Sequence, residues 1–298
     1  MLLSGGAALL LFSLTWWRER EAQSALPLAV LGFAWVVCHI MVFKLSYLVP
    51  PKEAVDWLVP GAGALLLTGL AAWLLRGRRI PVLVCCSALL IVAAAWLALR
   101  QMPWLLDRDE TATQRFLWTG AGIAGVLAAF VAAECIALRV PPAAVLCGLA
   151  LFALLAGLGL WRIASPDRIV ARPLAVAAMT GGAALAALLR RRTAVLAPGM
   201  AGWISGGILI LFFCGCLSRA SAVPVWPMAA AAAGIPAAAL LAAVHRRLFV
   251  SGTAPAWLAG VILSGTAILW LCSADQKQLE AVPSIPSSTG ADDTGAYD

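Results

Sequence analysis

Two ionisable side chains stand inside otherwise apolar runs of this chain, His39 in "FAWVVCHIMVF" and Glu134 in "VAAECIA". An imidazole that changes charge near neutral pH and a carboxylate can bind or relay a proton, hold a cation or anchor a polar solute. A charged side chain in hydrocarbon costs about 2.5–3.5 kcal/mol on insertion scales, so each residue is a candidate substrate- or proton-binding group. Each also has a structural alternative. Glu134 precedes Arg139 closely enough to snorkel toward it or to pair with it. His39 can stay neutral, hydrogen-bonded between helices.

Other chemical signals are weaker. The eight cysteines all fall in or at the ends of apolar runs, where a thiol behaves as a small hydrophobe. Neither "CC" at 85–86 nor "CGC" at 214–216 has metal-site spacing, and only two histidines exist to assist. No metal and no cofactor are expected. "GWISGG" at 202–207 has a serine, but Trp203 stands where an intramembrane serine nucleophile has a glycine two places before it. There is no His-Glu-x-x-His pair and no phosphate-binding Gly-rich loop. The segment "DRDETATQR" at 107–115 reads as a solvated loop before it reads as a divalent-ion or phosphate site. Arg172, just before Pro173, reads as interfacial.

The elements that must carry these residues follow from composition. Of 298 residues, 63% are hydrophobic and 12% charged, against about 25% charged in a soluble domain. The charges cluster between apolar stretches, and a run of roughly 20 apolar residues matches the hydrocarbon thickness of a bilayer. Ten spans result, at 2–17, 26–46, 57–75, 80–99, 116–138, 141–161, 172–189, 194–217, 225–244 and 254–273. Backbone groups in lipid must satisfy one another within the segment, and no barrel-like alternation is present, so the spans are helices. The expected fold is an all-α polytopic transmembrane bundle over 1–273, built as five helical hairpins. A disordered, acidic, polar tail over 274–298 is expected to follow.

On this ruler His39 lies about 4 Å from the midplane and Glu134 about 10 Å away on the other side. The two are expected at different depths, both facing the bundle interior. Gly202 with Gly206, and Ala121 with Gly125, form small-xxx-small pairs that let helix backbones approach. "PPKEAVDWLVPGAGA" at 51–65 is echoed by "ETATQRFLWTGAGIA" at 110–124, and both are expected to be turns leading back into the membrane. Trp16, Trp17, Trp57, Trp118, Trp161, Trp226 and Trp257 lie near span ends and suit the headgroup level.

Arginines and lysines divide almost evenly, eleven in the odd-numbered connections and ten elsewhere. The odd connections are tight and almost purely cationic, which favours the cytoplasmic face and leaves both termini outside. The net charge of +7 is therefore explained by lipid, with no nucleic-acid partner expected. The expected setting is a bacterial-type cytoplasmic (inner) membrane, with membrane lipids and other membrane-protein subunits as partners. Two functions fit: small-solute transport or binding within the membrane, or a non-catalytic scaffold or subunit of a membrane complex. An enzyme ranks third.

Overall fold

The computed structural model describes residues 2–18, 25–43, 54–74, 80–102, 112–163, 168–190, 194–218, 225–248 and 253–280. Ten α-helices account for nearly all of them: α1 Leu2–Arg18, α2 Leu26–Phe43, α3 Leu58–Leu74, α4 Ile80–Arg100, α5 Ala112–Ala137, α6 Pro142–Ile163, α7 Arg168–Leu189, α8 Met200–Leu217, α9 Val225–Leu248 and α10 Thr253–Glu280. A short 3-10 turn, Ala54–Trp57, leads into α3. No strand occurs among the described residues. The chain is an all-α bundle, and its apolar helices mark it as a membrane protein. Seven of them, α4 to α10, are long and apolar enough to cross a bilayer, while α1, α2 and α3 contribute shorter apolar segments. The ten expected spans thus correspond to ten helices, of which seven meet the length of a crossing.

Nine helices form a closed ring in the order α1, α2, α3, α4, α5, α9, α10, α6, α7 and back to α1, each touching the next. Inside it runs α8, in contact with α2, α4, α5, α6, α7 and α9. Every residue of α8 is buried. A helix that is apolar all round belongs in a core or a membrane, and α8 is both. Consecutive helices touch in each expected hairpin, yet some of the broadest contacts join α2 to α3, α6 to α7, α6 to α10 and α1 to α7. Of the expected hairpins, only α9 with α10 packs as broadly as these pairs; the others are held mainly by helices outside the hairpin.

Two ends of the bundle can be told apart by their cross-links. At the basic end, Trp16 Nε1 donates to the Val195 carbonyl at 3.0 Å and Trp257 Nε1 to that of Ala144 at 3.1 Å. At the far end, Trp57 Nε1 donates to Gln101 Oε1 at 2.8 Å. Trp16 and Trp257 are thus buried clamps between helix ends, not the headgroup anchors their positions suggested. Trp17, Trp161 and Trp226 do face outward, as an interfacial ring requires.

Small residues set the helix spacing, though not always those expected. A Cβ at Gly202 would lie 2.5 Å from the Phe130 ring of α5, and one at Gly206 would lie 2.8 Å from Ile91 of α4. Gly125 meets Ala232 of α9, but its expected companion Ala121 is exposed. The buried stripe of α5 runs through Gly122, Gly125, Val126, Ala129, Phe130 and Ala133, with Gly122 in the place expected of Ala121. Gly125 of the expected pair thus packs inward and Ala121 does not, because both faces of α5 are apolar.

The closest approach joins α1 to α7, where a Cβ at Gly182 would clash with the Gly5 carbonyl oxygen. Gly182→Ala is expected to lower stability by about 1–3 kcal/mol through overpacking. Gly6→Ala, whose Cβ would meet nothing within 4 Å, should be neutral. Thermal unfolding of both variants in the same detergent checks the pair.

Two further expectations are corrected. The echo at 110–124 is no turn from Ala112 onward: Phe116 and Gly120 sit inside continuous helix α5, whereas residues 54–57 do turn. The last helix does not stop at 273 but runs to Glu280, taking the first part of the expected tail with it. At 1.5 Å per residue α10 is about 42 Å long, more than the hydrocarbon core, so its polar end projects beyond it. Residues 281–298 lie outside the described residues, as do 103–111, which hold most of the acidic loop.

Candidate functional site

Three ionisable side chains converge at the far end. His39 comes from the last turns of α2, Asp56 from the 3-10 turn, and Arg172 from the second turn of α7. Arg172 Nη2 donates to Asp56 Oδ1 at 3.2 Å, and His39 Nε2 lies 3.5 Å from the same oxygen. Their relative exposures are 6% for His39, 1% for Asp56 and 5% for Arg172. The carboxylate is thus shared by two cationic or potentially cationic partners, away from solvent. Cys214 of α8 is near enough to feel the Arg172 charge, which ties the cluster to the central helix.

Each member has a local reason for its place. Helix α7 begins at Arg168, a full turn before the expected start of the span, so Arg172 is drawn inside and Pro173 lies in the second turn. The 3-10 turn folds against α3, α4 and α8, which carries Asp56 inward while Trp57 is held by Gln101. His39 faces the interior because the α2 stripe of Leu28, Leu31, Trp35 and Cys38 does. A buried ion pair gains little net stability over apolar packing, but a buried charge that loses its partner is costly. The cluster is therefore all or nothing: intact it is tolerated, broken it is expensive.

Glu134 is elsewhere. Its Oε2 accepts the Gly199 N–H at 3.0 Å and its Oε1 the Gly202 N–H at 2.8 Å. These belong to the start of α8, where a helix leaves its first amides without intrahelical partners. A carboxylate there satisfies them and meets the positive end of the helix dipole. Gly199 adopts φ +87°, a left-handed conformation that glycine tolerates, and a Cβ there would also collide with Ser87. Glu134 is thus bound to backbone amides of α8 and does not join His39. From Gly202 to Cys214 along α8 is about 18 Å, which sets the separation between the two sites.

Sequence reasoning found His39 and Glu134, placed them at different depths, and missed Asp56 and Arg172. Asp56 looked like part of a turn leading back into the membrane and Arg172 like an interfacial residue. The signal that could have found them is weak: an acid and a base, each the last charge before an apolar run at the same end of the bundle. Ser205, the serine of "GWISGG", is fully buried and its hydroxyl lies 2.9 Å from the Gly202 carbonyl and 3.2 Å from that of Ala129. It braces α8 against α5 and is not poised as a nucleophile. No group of three or more metal-binding side chains occurs among the described residues.

Compared with protein-family models, with curated proteins and with solved structures, the chain matches none.

Proposed function

We propose that this membrane protein binds and moves a small solute, with the His39–Asp56–Arg172 cluster at the far end as its polar site. One observation carries the reading. Three ionisable groups from three separate elements are buried together at 3.2 and 3.5 Å, where apolar residues would serve packing equally well. Titratable groups gathered out of contact with water inside an apolar bundle are candidates for a functional site. The histidine offers an imidazole nitrogen beside the shared carboxylate, and the short turn bearing Asp56 offers an element that can move without unpacking a helix. All ten helices cross the membrane in this reading. The basic end faces the cytoplasm of a bacterial-type inner membrane and both termini lie outside, with lipids around the ring.

A second reading is favoured by a specific observation as well. Helix α8 is buried along its whole length and Glu134 is engaged as its cap, which suits a rigid scaffold or complex subunit.

The experiment is a thermal-stability screen of the protein in nanodiscs against small anionic, cationic and uncharged compounds. Under the solute reading some compound raises the melting temperature of wild type, and His39→Gln, which keeps a hydrogen-bonding side chain, abolishes that rise. A panel without any stabilising compound, or a rise that His39→Gln leaves untouched, returns the cluster to the scaffold reading.

A further inference from the structure

The His39–Asp56–Arg172 cluster is sealed, its three side chains 6%, 1% and 5% exposed. A solute reaches it only if one of the three elements moves. Two of them are ring helices held on both sides, α2 between α1 and α3 and α7 between α6 and α1. The third is the 3-10 turn Ala54–Trp57, only four residues long.

The backbone of that turn is tied down weakly. Hydrogen bonds in a 3-10 turn have poorer geometry than those of an α-helix. Pro60, the third residue of α3, has no N–H to return to the Asp56 carbonyl four residues earlier, so that rung of the helical ladder is missing. Side chains hold the turn instead, one on each flank. Asp56 is bound inside the bundle by Arg172 Nη2 at 3.2 Å. Trp57 is bound toward the outside, its Nε1 donating at 2.8 Å to Oε1 of Gln101, an exposed residue just past the end of α4. A hydrogen bond made within reach of water has a small net worth, because water offers both partners a substitute. It is the fastening that can open and close.

We infer that the Trp57–Gln101 hydrogen bond is the latch of a gate, the turn Ala54–Trp57, whose opening admits solute to the polar cluster from the far end. The inference rests on the solute site proposed above. Trp57 and Gln101 are positioning residues: with the latch made, the turn holds Asp56 against Arg172 and His39. With it broken, the turn swings outward and water enters behind it. Arg172 is then hydrated and not stranded, so opening avoids the penalty that loss of Asp56 would bring.

Cys214 is a built-in reporter. It is 1% exposed, lies close enough to Arg172 to feel its charge, and belongs to a helix against which the turn packs. Cys272, 0% exposed beside Gly159 of α6, is the control, on a helix that packs on α6 and α9. The full chain in nanodiscs is treated with a charged methanethiosulfonate, and the modified cysteines are read by peptide mass spectrometry. Trp57→Phe and Gln101→Leu should each label Cys214 about fivefold faster than wild type, as one net hydrogen bond allows, with Cys272 unchanged. Gln101→Glu keeps an acceptor for the indole and should label at the wild-type rate. The double variant Trp57→Phe with Gln101→Leu should be no faster than either single one, because both remove the same bond. Wild-type rates in both single variants overturn the latch and leave the solute site standing. Faster labelling of Cys214 and Cys272 together also overturns it, since that marks general loosening. If the compound screen fails, faster Cys214 labelling shows a latch with no solute behind it, and the inference falls with the site it rests on.

Discussion

Asp56→Ala is expected to destabilise the protein by about 3–5 kcal/mol, the cost of leaving a buried charge without its partner. The variant strips the shared carboxylate from both Arg172 and His39, which are 5% and 6% exposed and cannot turn to water without opening the far end. Asp56→Asn should cost less, since its carbonyl oxygen can still accept from Arg172 Nη2 in place of Oδ1. The decisive comparison is the double variant Asp56→Ala with Arg172→Met. Removing both charges should recover much of the loss, because a buried ion pair and a well-packed apolar substitute are close in free energy. Thermal or denaturant unfolding in detergent reads all three. Equal losses from the single and double variants would show that the pair is not coupled, and the cluster would lose its standing as a unit.

Glu134→Ala should cost about 2–4 kcal/mol through a different mechanism. Its carboxylate accepts two amide hydrogens at the start of α8, and charge-assisted bonds of this kind are worth more than neutral ones. Because α8 is buried throughout, those amides have no route to water when the acceptor goes. Glu134→Gln should fall between wild type and alanine, since one amide oxygen can still accept while the NH2 group faces a second donor. Hydrogen exchange at Gly199 and Gly202 gives the local readout: both amides should exchange faster in Glu134→Ala, with the far end unaffected. Unchanged protection would remove Glu134 from its role as a cap. Exchange that also quickened around Arg172 would show that the two ends are coupled along α8.

How much of this was legible beforehand differs from one residue to the next. His39 stood out because a titratable side chain in an apolar run is conspicuous in one dimension. Glu134 stood out for the same reason, but its partners are the Gly199 and Gly202 amides 65 and 68 positions away, and a backbone amide leaves no mark in a sequence. Asp56 and Arg172 are 116 positions apart and each borders an apolar run, where charges are ordinary. Ala121 was assigned to a packing face by spacing alone, and in a helix apolar on both sides spacing does not fix which side turns inward.

The amino-acid sequence alone determined the helices, their number, and most of their ends to within a few residues. Those depend on local runs of apolar side chains and on backbone groups that hydrogen-bond within their own segment, so no distant partner is needed. It also determined the alternation of a basic and a far end, since charge at a connection is equally local. Only the tertiary structure decided that α8 is the central helix, that Glu134 caps it, and that Asp56 joins Arg172 and His39. Nearly uniform apolarity gives each helix many acceptable faces, and the choice among them is made by the fit of glycines, rings and buried charges between helices far apart in the chain.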